Sequence, residues 1–99
     1  MPLTKKQIRQ LKSLVHHLNP VVIIGQNGLT DAVFKELDIT LSTHELIKVR
    51  LNAGDREERR EMIDRICTHC GAELVQSIGH VAAFFRRNPD KPVISLGQD

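Results

Sequence analysis

The chain has no tryptophan and no tyrosine, and Phe34, Phe84 and Phe85 are its only phenylalanines. Modules that stack unpaired bases rely on exposed aromatic platforms. Any binding to nucleic acid therefore has to rest on phosphate contacts and polynucleotide shape, with low sequence specificity and strong salt dependence. Cysteine is scarce too. Two cysteines in 99 residues cannot staple a small scaffold, which points to a reducing cytoplasm. Long hydrophobic runs are missing: the longest, Val81 to Phe85, is far short of the roughly 18 residues a membrane helix needs. The opening Met1-Pro2-Leu3-Thr4-Lys5-Lys6 is charged and lacks the apolar core of a secretory signal. A soluble cytoplasmic protein without a membrane partner is expected. Acidic residues are absent before Asp31, a stretch that holds Lys5, Lys6, Arg9 and Lys12. The net charge is only +2, so its distribution, not its total, favours a polyanion.

What is present suits one domain over residues 1–99, with a hydrophobic share of 40%. From Thr4 to Leu18, Ile8, Leu11, Leu14, Val15 and Leu18 recur at helical spacing, and Asn19-Pro20 ends the helix. On its other side Lys5, Arg9, Lys12 and His16 fall along one line, flanked by Lys6 and His17. Val21 to Ile24 is β-branched and apolar on both faces, as an interior strand would be. Thr30 caps a second helix with a core face of Val33, Phe34, Leu37 and Leu41. Leu46 to Asn52 alternates as a strand, projecting Lys48 and Arg50 to one side. Asp55 and Glu58 have capping-box spacing and open a third helix, buried through Met62, Ile63, Ile66, Cys67 and Cys70. Glu73 to Ile78 and Val81 to Arg86 read as a hairpin turning at Gly79-His80. Residues 90–99 form a tail that could pack loosely. The expected architecture is an α/β domain of two layers, with a mixed sheet of about four strands and three helices in the order α-β-α-β-α-β-β.

The strongest local motif is Gly25-Gln26-Asn27-Gly28, placed between a buried strand and a helix start. Glycines permit backbone conformations closed to other residues and let another backbone approach. The helix behind offers unpaired amides and a partial positive charge, which suit a phosphate. A plain strand-to-helix turn would also use two glycines, and it is the basic helix that favours the functional reading. A nucleotide-binding P-loop requires four residues between its glycines and a lysine after the second, but Leu29-Thr30 follows here. The dinucleotide fingerprint requires a third glycine. Lys48 and Arg50 could extend the basic surface or act as charges that protect a strand edge. In the third helix, arginines alternate with Glu57, Glu58, Glu61 and Asp64, a near-neutral solvated pattern.

Cys67-Thr68-His69-Cys70 supplies half the ligands of a structural zinc site, and no second pair exists. Both cysteines continue the apolar stripe, so they read as core. His16, His17, His44, His69 and His80 form no recognisable catalytic spacing. Neither a cofactor, a metal nor a catalytic residue is expected.

Taken together, Lys5-Lys6-Gln7 through Leu11, His16-His17-Leu18-Asn19-Pro20, Gly25 through Thr30, His44 through Val49 and Gln76-Ser77-Ile78-Gly79 resemble the CRM domain (chloroplast RNA splicing and ribosome maturation). The likeness spans about Leu3 to Leu96 and is strongest to the stand-alone bacterial YhbY family. It implies a fold similar to the C-terminal domain of bacterial translation initiation factor three, and association with precursors of the large ribosomal subunit. The family's GxxG loop falls on Gly25 to Gly28, and its basic surface on Lys5, Lys6, Arg9, Lys12 and Lys48. Gln26 is neutral where the family is often basic, and Phe85 stands where a tyrosine before Arg86 is common. The combined expectation is a monomeric, non-catalytic binder of structured RNA, with ribosomal RNA as the expected target. Its contact residues would be Lys5, Lys6, Arg9, Lys12, His16, Gly25, Gln26, Asn27, Gly28, Lys48 and Arg50. A small phosphate-ligand enzyme and a protein-interaction module are the alternatives.

Overall fold

The computed structural model describes residues 3–96. The chain runs α1 (Lys5–Val15), β1 (Pro20–Ile24), α2 (Asp31–His44), β2 (Leu46–Leu51), α3 (Arg56–Cys70), β3 (Glu73–Ile78) and β4 (Val81–Phe85). This is the expected order of three helices and four strands. Each helix begins where its cap residue lies: Thr4 and Asp55 form capping boxes with Gln7 and Glu58, and the Thr30 hydroxyl accepts the Val33 amide. These bonds satisfy amides that the helix itself leaves unpaired.

The sheet order is β1-β2-β4-β3. β1 and β2 pair in parallel, while β4 is antiparallel to both β2 and β3. The hairpin therefore folds back so that its second strand enters the middle of the sheet. On β2, alternation sends Ile47, Val49 and Leu51 into a core with Phe34, Leu37 and Leu41 of α2 and Ile63, Ile66 and Cys70 of α3. Leu46 points the other way, into a second cluster with Leu11 and Val15 of α1, Val75, Ala83 and Phe85.

Two expectations change. Helical cover is divided between the faces, with α2 and α3 on one and α1 on the other, so the two-layer arrangement describes only the α2–α3 side. One helix cannot roof a four-stranded sheet, and part of the second face stays open. β1 is also an edge strand, not an interior one. Its Val22 and Ile24 are buried while Val21 and Ile23 are exposed.

The tail is held firmly as far as Leu96. Glu45, between α2 and β2, is fully buried and has φ 62°, a backbone conformation that costs a non-glycine residue on the order of 1–3 kcal/mol. Its carboxylate accepts hydrogen bonds from the amides of Asn88 (2.6 Å), Val93 (2.6 Å) and Ile94 (2.8 Å) and from the Arg87 guanidinium (3.1 Å). Its carbonyl accepts the Arg86 amide at 2.9 Å. Ile94 and Leu96 then pack against the α1 cluster. Residues 97–99 of the tail lie outside the described residues.

Burial pushes the Glu45 pKa upward, but the amides of Asn88, Ile94 and Val93 and the Arg87 charge outweigh it and hold the carboxyl below its ordinary value. A depressed folded pKa contributes stability above the unfolded pKa of about 4.3, and that contribution is lost as pH falls through the folded value. Glu45→Gln should cost about 3 kcal/mol at neutral pH, because an amide NH2 then faces buried donors. It should also flatten the loss of stability on acidification below about pH 4.3. Urea denaturation of parent and variant across pH checks both effects, and parallel pH profiles would remove Glu45 as the acid-sensitive group.

Candidate nucleic-acid interface

β1 delivers the chain into Gly25-Gln26-Asn27-Gly28, where the Gly28 amide donates to the Gly25 carbonyl at 3.0 Å and closes a tight turn. Gly28 has φ 68°, which a residue without Cβ adopts at no steric cost. Gln26 and Asn27 form the exposed tip. The Thr30 amide donates to the Gly28 carbonyl at 3.1 Å, and the Thr30 carbonyl accepts the Phe34 amide at 3.0 Å, so the turn leads directly into the first turn of α2. That helix end carries one acid, the exposed Asp31. The base of the loop is fixed from β2, whose neighbour Asn52 donates its amide to the Ile24 carbonyl at 2.8 Å. Arg50 Nε donates to Asn52 Oδ1 at 2.9 Å, which sets the guanidinium beside the loop.

Lys5, Lys6, Arg9 and Lys12 are all exposed on α1, as is His16, the residue that caps its end. Over this stretch the helix rises roughly 16 Å. Its start lies near Glu73, whose carboxylate accepts the Leu3 amide at 3.3 Å. Its end lies over the sheet, where Val15 and His16 meet Lys48, Gln76, Ile78, Val81 and Ala83 around a groove of about 240 Å³. The cationic line thus runs along α1 toward Lys48, and Arg50 continues it on β2 toward the loop. The two features that flank β1 in sequence are joined across the sheet by the β2 cations. Lys5 and Lys6 are the members farthest from the loop. Lys48 is tied down, its Nζ donating to the Leu18 carbonyl at 3.1 Å.

Beyond the groove the strand registers place Ile23, Arg50, Val81 and Ile78 side by side across all four strands. Ile23 is 61% and Ile78 65% exposed. Alternation could not reveal this opening, because β1 is apolar on both sides. Pro20 does not mark it either, because proline is tolerated at the first position of any strand.

Other cations are committed to structure. Arg86 donates to the Asp38 carboxylate (2.9 Å) and carbonyl (2.8 Å), to the Ser42 hydroxyl (2.9 Å) and to the Cys70 carbonyl (2.9 Å), and so binds the far ends of α2 and α3 together. Among the described residues the only ion pairs are Arg86–Asp38 and Arg87–Glu45. Among the described residues no carboxylate pairs with the cations of α1 or with Arg50.

The cysteines behave as core. Burial, then the nearby Asp38 carboxylate, push the Cys70 thiol up to about 11, and burial raises Cys67 as well. His69 stacks on Phe34 with ring centres 4.0 Å apart, pointing away from any arrangement shared with both thiols. Among the described residues no three histidine, cysteine or acidic side chains are grouped to hold a metal ion.

The family profile of the CRS1 / YhbY (CRM) domain matches residues 3–86. The chain belongs to this family. It is 48% identical over 89 residues to a protein of Pseudomonas aeruginosa named a probable RNA-binding protein, covering 90% of this chain and 86% of that one. It is 43% identical to a protein of Haemophilus influenzae named an RNA-binding protein, over 92% of each chain. The solution structure of the hypothetical protein SAV1595 from Staphylococcus aureus superposes with a TM-score of 0.82 at 33% identity, covering 97% of this chain and all of that one.

The two glycines of the turn differ in what the structure demands of them. A Cβ at Gly25 would meet nothing within 4 Å, and at Gly28 only Met62 Cε at 3.9 Å, an ordinary contact. Gly28 is therefore required by its φ, not by space. Gly25→Ala should leave stability within about 0.5 kcal/mol of the parent. Gly28→Ala should cost about 1 kcal/mol, and thermal denaturation of the two variants checks the contrast.

Proposed function

We propose that this CRM-family protein is a non-catalytic RNA-binding protein that grips the phosphate backbone of structured RNA. Amides of the glycine turn and the α2 N-terminus would hold one phosphate region, while Lys5, Lys6, Arg9, Lys12, His16, Lys48 and Arg50 receive the adjoining backbone. The observation that carries this reading is the unpaired cationic path from α1 across β2 to the Gly25–Gly28 turn, in a chain whose relatives are named RNA-binding proteins. Phosphate contacts dominate affinity in such complexes and release counterions. The resemblance to the bacterial YhbY branch makes ribosomal RNA in the large-subunit precursor the preferred target, bound by a monomer in the cytoplasm.

Lys5→Glu, Arg9→Glu and Lys12→Glu combined should weaken binding on the order of 10²- to 10³-fold near 0.1 M salt, uniformly across RNA sequences. Neutral substitution of one true phosphate contact should reduce the salt slope by about one. Titrations by fluorescence anisotropy at several salt concentrations measure both, and parental affinity of the triple variant would remove α1 from the interface. Gly28→Asp puts a carboxylate into the turn at a φ that aspartate tolerates better than most residues. It should abolish binding with the far-ultraviolet circular dichroism unchanged, whereas undiminished binding by the folded variant would take the turn out of the site.

A further inference from the structure

The open half of the α1-side sheet face has a composition that phosphate binding does not use. Ile23, Val81 and Ile78 form an apolar row interrupted only by Arg50. Ile23 and Ile78 are the most exposed large apolar residues of the strands. Next to this row the groove under the end of α1 adds Val15 and Ala83, with His16 and Lys48 at its rim. The strands bring a single carboxylate to this face: Glu73, in the far row beside Phe85 and Leu46 and already bonded to Leu3. An apolar floor bordered by cations and kept clear of acids suits a ligand with flat apolar surface and a negative charge close by.

We propose that this row and groove form a pocket for unpaired nucleobases of the RNA strand whose phosphates lie on the glycine turn. The inference rests on the RNA-binding reading above and extends it to the bases. Position supports it: Ile23 precedes the turn by two residues, roughly 7 Å of strand, so a strand entering from the turn reaches the row at once. Size supports it as well. A groove of about 240 Å³ falls just under the range of about 300–1,000 Å³ for pockets that hold whole small ligands, which fits a base better than a complete nucleotide. Arg50 contributes twice. Only its Nε is engaged, by Asn52, among the described residues, which leaves the terminal guanidinium nitrogens for a phosphate or for stacking on a base plane. Aliphatic side chains here take the part that exposed aromatics play elsewhere, since covering a base with isoleucine removes apolar area from water in the same way.

The test uses the full chain, its Ile23→Ser/Ile78→Ser double variant, an unstructured single-stranded RNA decamer of mixed sequence, and the same decamer with abasic riboses at its central positions. Parent protein should bind the intact decamer about tenfold more tightly than the abasic one. The double variant should lose that margin and keep the parent's salt slope, because no charge has been altered. Both substitutions lie at exposed positions, and an unchanged thermal midpoint confirms an intact fold. Equal affinity of the parent for the two decamers would overturn the base pocket and leave phosphate binding standing. Failure of the parent to bind either decamer or a folded RNA would overturn the reading beneath it. A double variant that retains the full margin overturns the assignment of the row. Unchanged RNA binding together with loss of a ribonuclease-resistant protein complex would reassign the row to protein docking.

Discussion

The fold turns on a buried carboxylate. Glu45 sits where α2 hands over to β2, in a backbone conformation that works against it, and it is retained there by three main-chain amides and a guanidinium from the far end of the chain. A charge without such partners could not remain in that position. Through it, the segment after β4 is drawn back along the sheet and Ile94 and Leu96 are set beside Leu11 and Val15. The helix that bears Lys5, Lys6, Arg9 and Lys12 is thereby supported from two sides, by the strands and by the tail. A surface that has to present several like charges close together needs such a base, because mutual repulsion favours loosening.

Arg86 serves the other layer in a comparable way. Its guanidinium gathers Asp38 and Ser42 of α2 and the last carbonyl of α3. The two consecutive arginines after β4 therefore stabilise opposite faces of the sheet, Arg86 the helix pair and Arg87 the tail. Neither is available to a polyanion in the way that the α1 residues are. Basic residues in this chain divide into structural and surface groups, and only the hydrogen-bond pattern separates them.

Much of this was legible in the residues. Caps at Thr30 and Asp55, the stripes of α2 and α3, and the hairpin at Gly79-His80 follow from local chemistry and spacing, and all are observed. The glycine turn and the acid-free N-terminal run were equally visible. What could not be read depends on contacts between distant parts. Val21-Val22-Ile23-Ile24 has the composition of an interior strand, and only the sheet order shows that it borders solvent. The tail looked loose because its anchor is a single glutamate some fifty residues earlier, with no periodicity to announce the pairing. The division of helices between faces is likewise a matter of connection and register: Leu46 and Ile47 are neighbours in sequence but belong to different cores.

The positions of Leu3 and Leu96 have a practical consequence. Both belong to the α1 cluster, and Gln10 Nε2 donates to the Ser95 carbonyl at 2.6 Å, so these two points of the chain meet at one pole of the molecule. The glycine turn lies beside the finish of β2, at the opposite pole, roughly 20 Å away along the strand direction. The contacts that fasten the tail to α1 therefore stay clear of the turn, whose surroundings are left to β1, β2 and the start of α2.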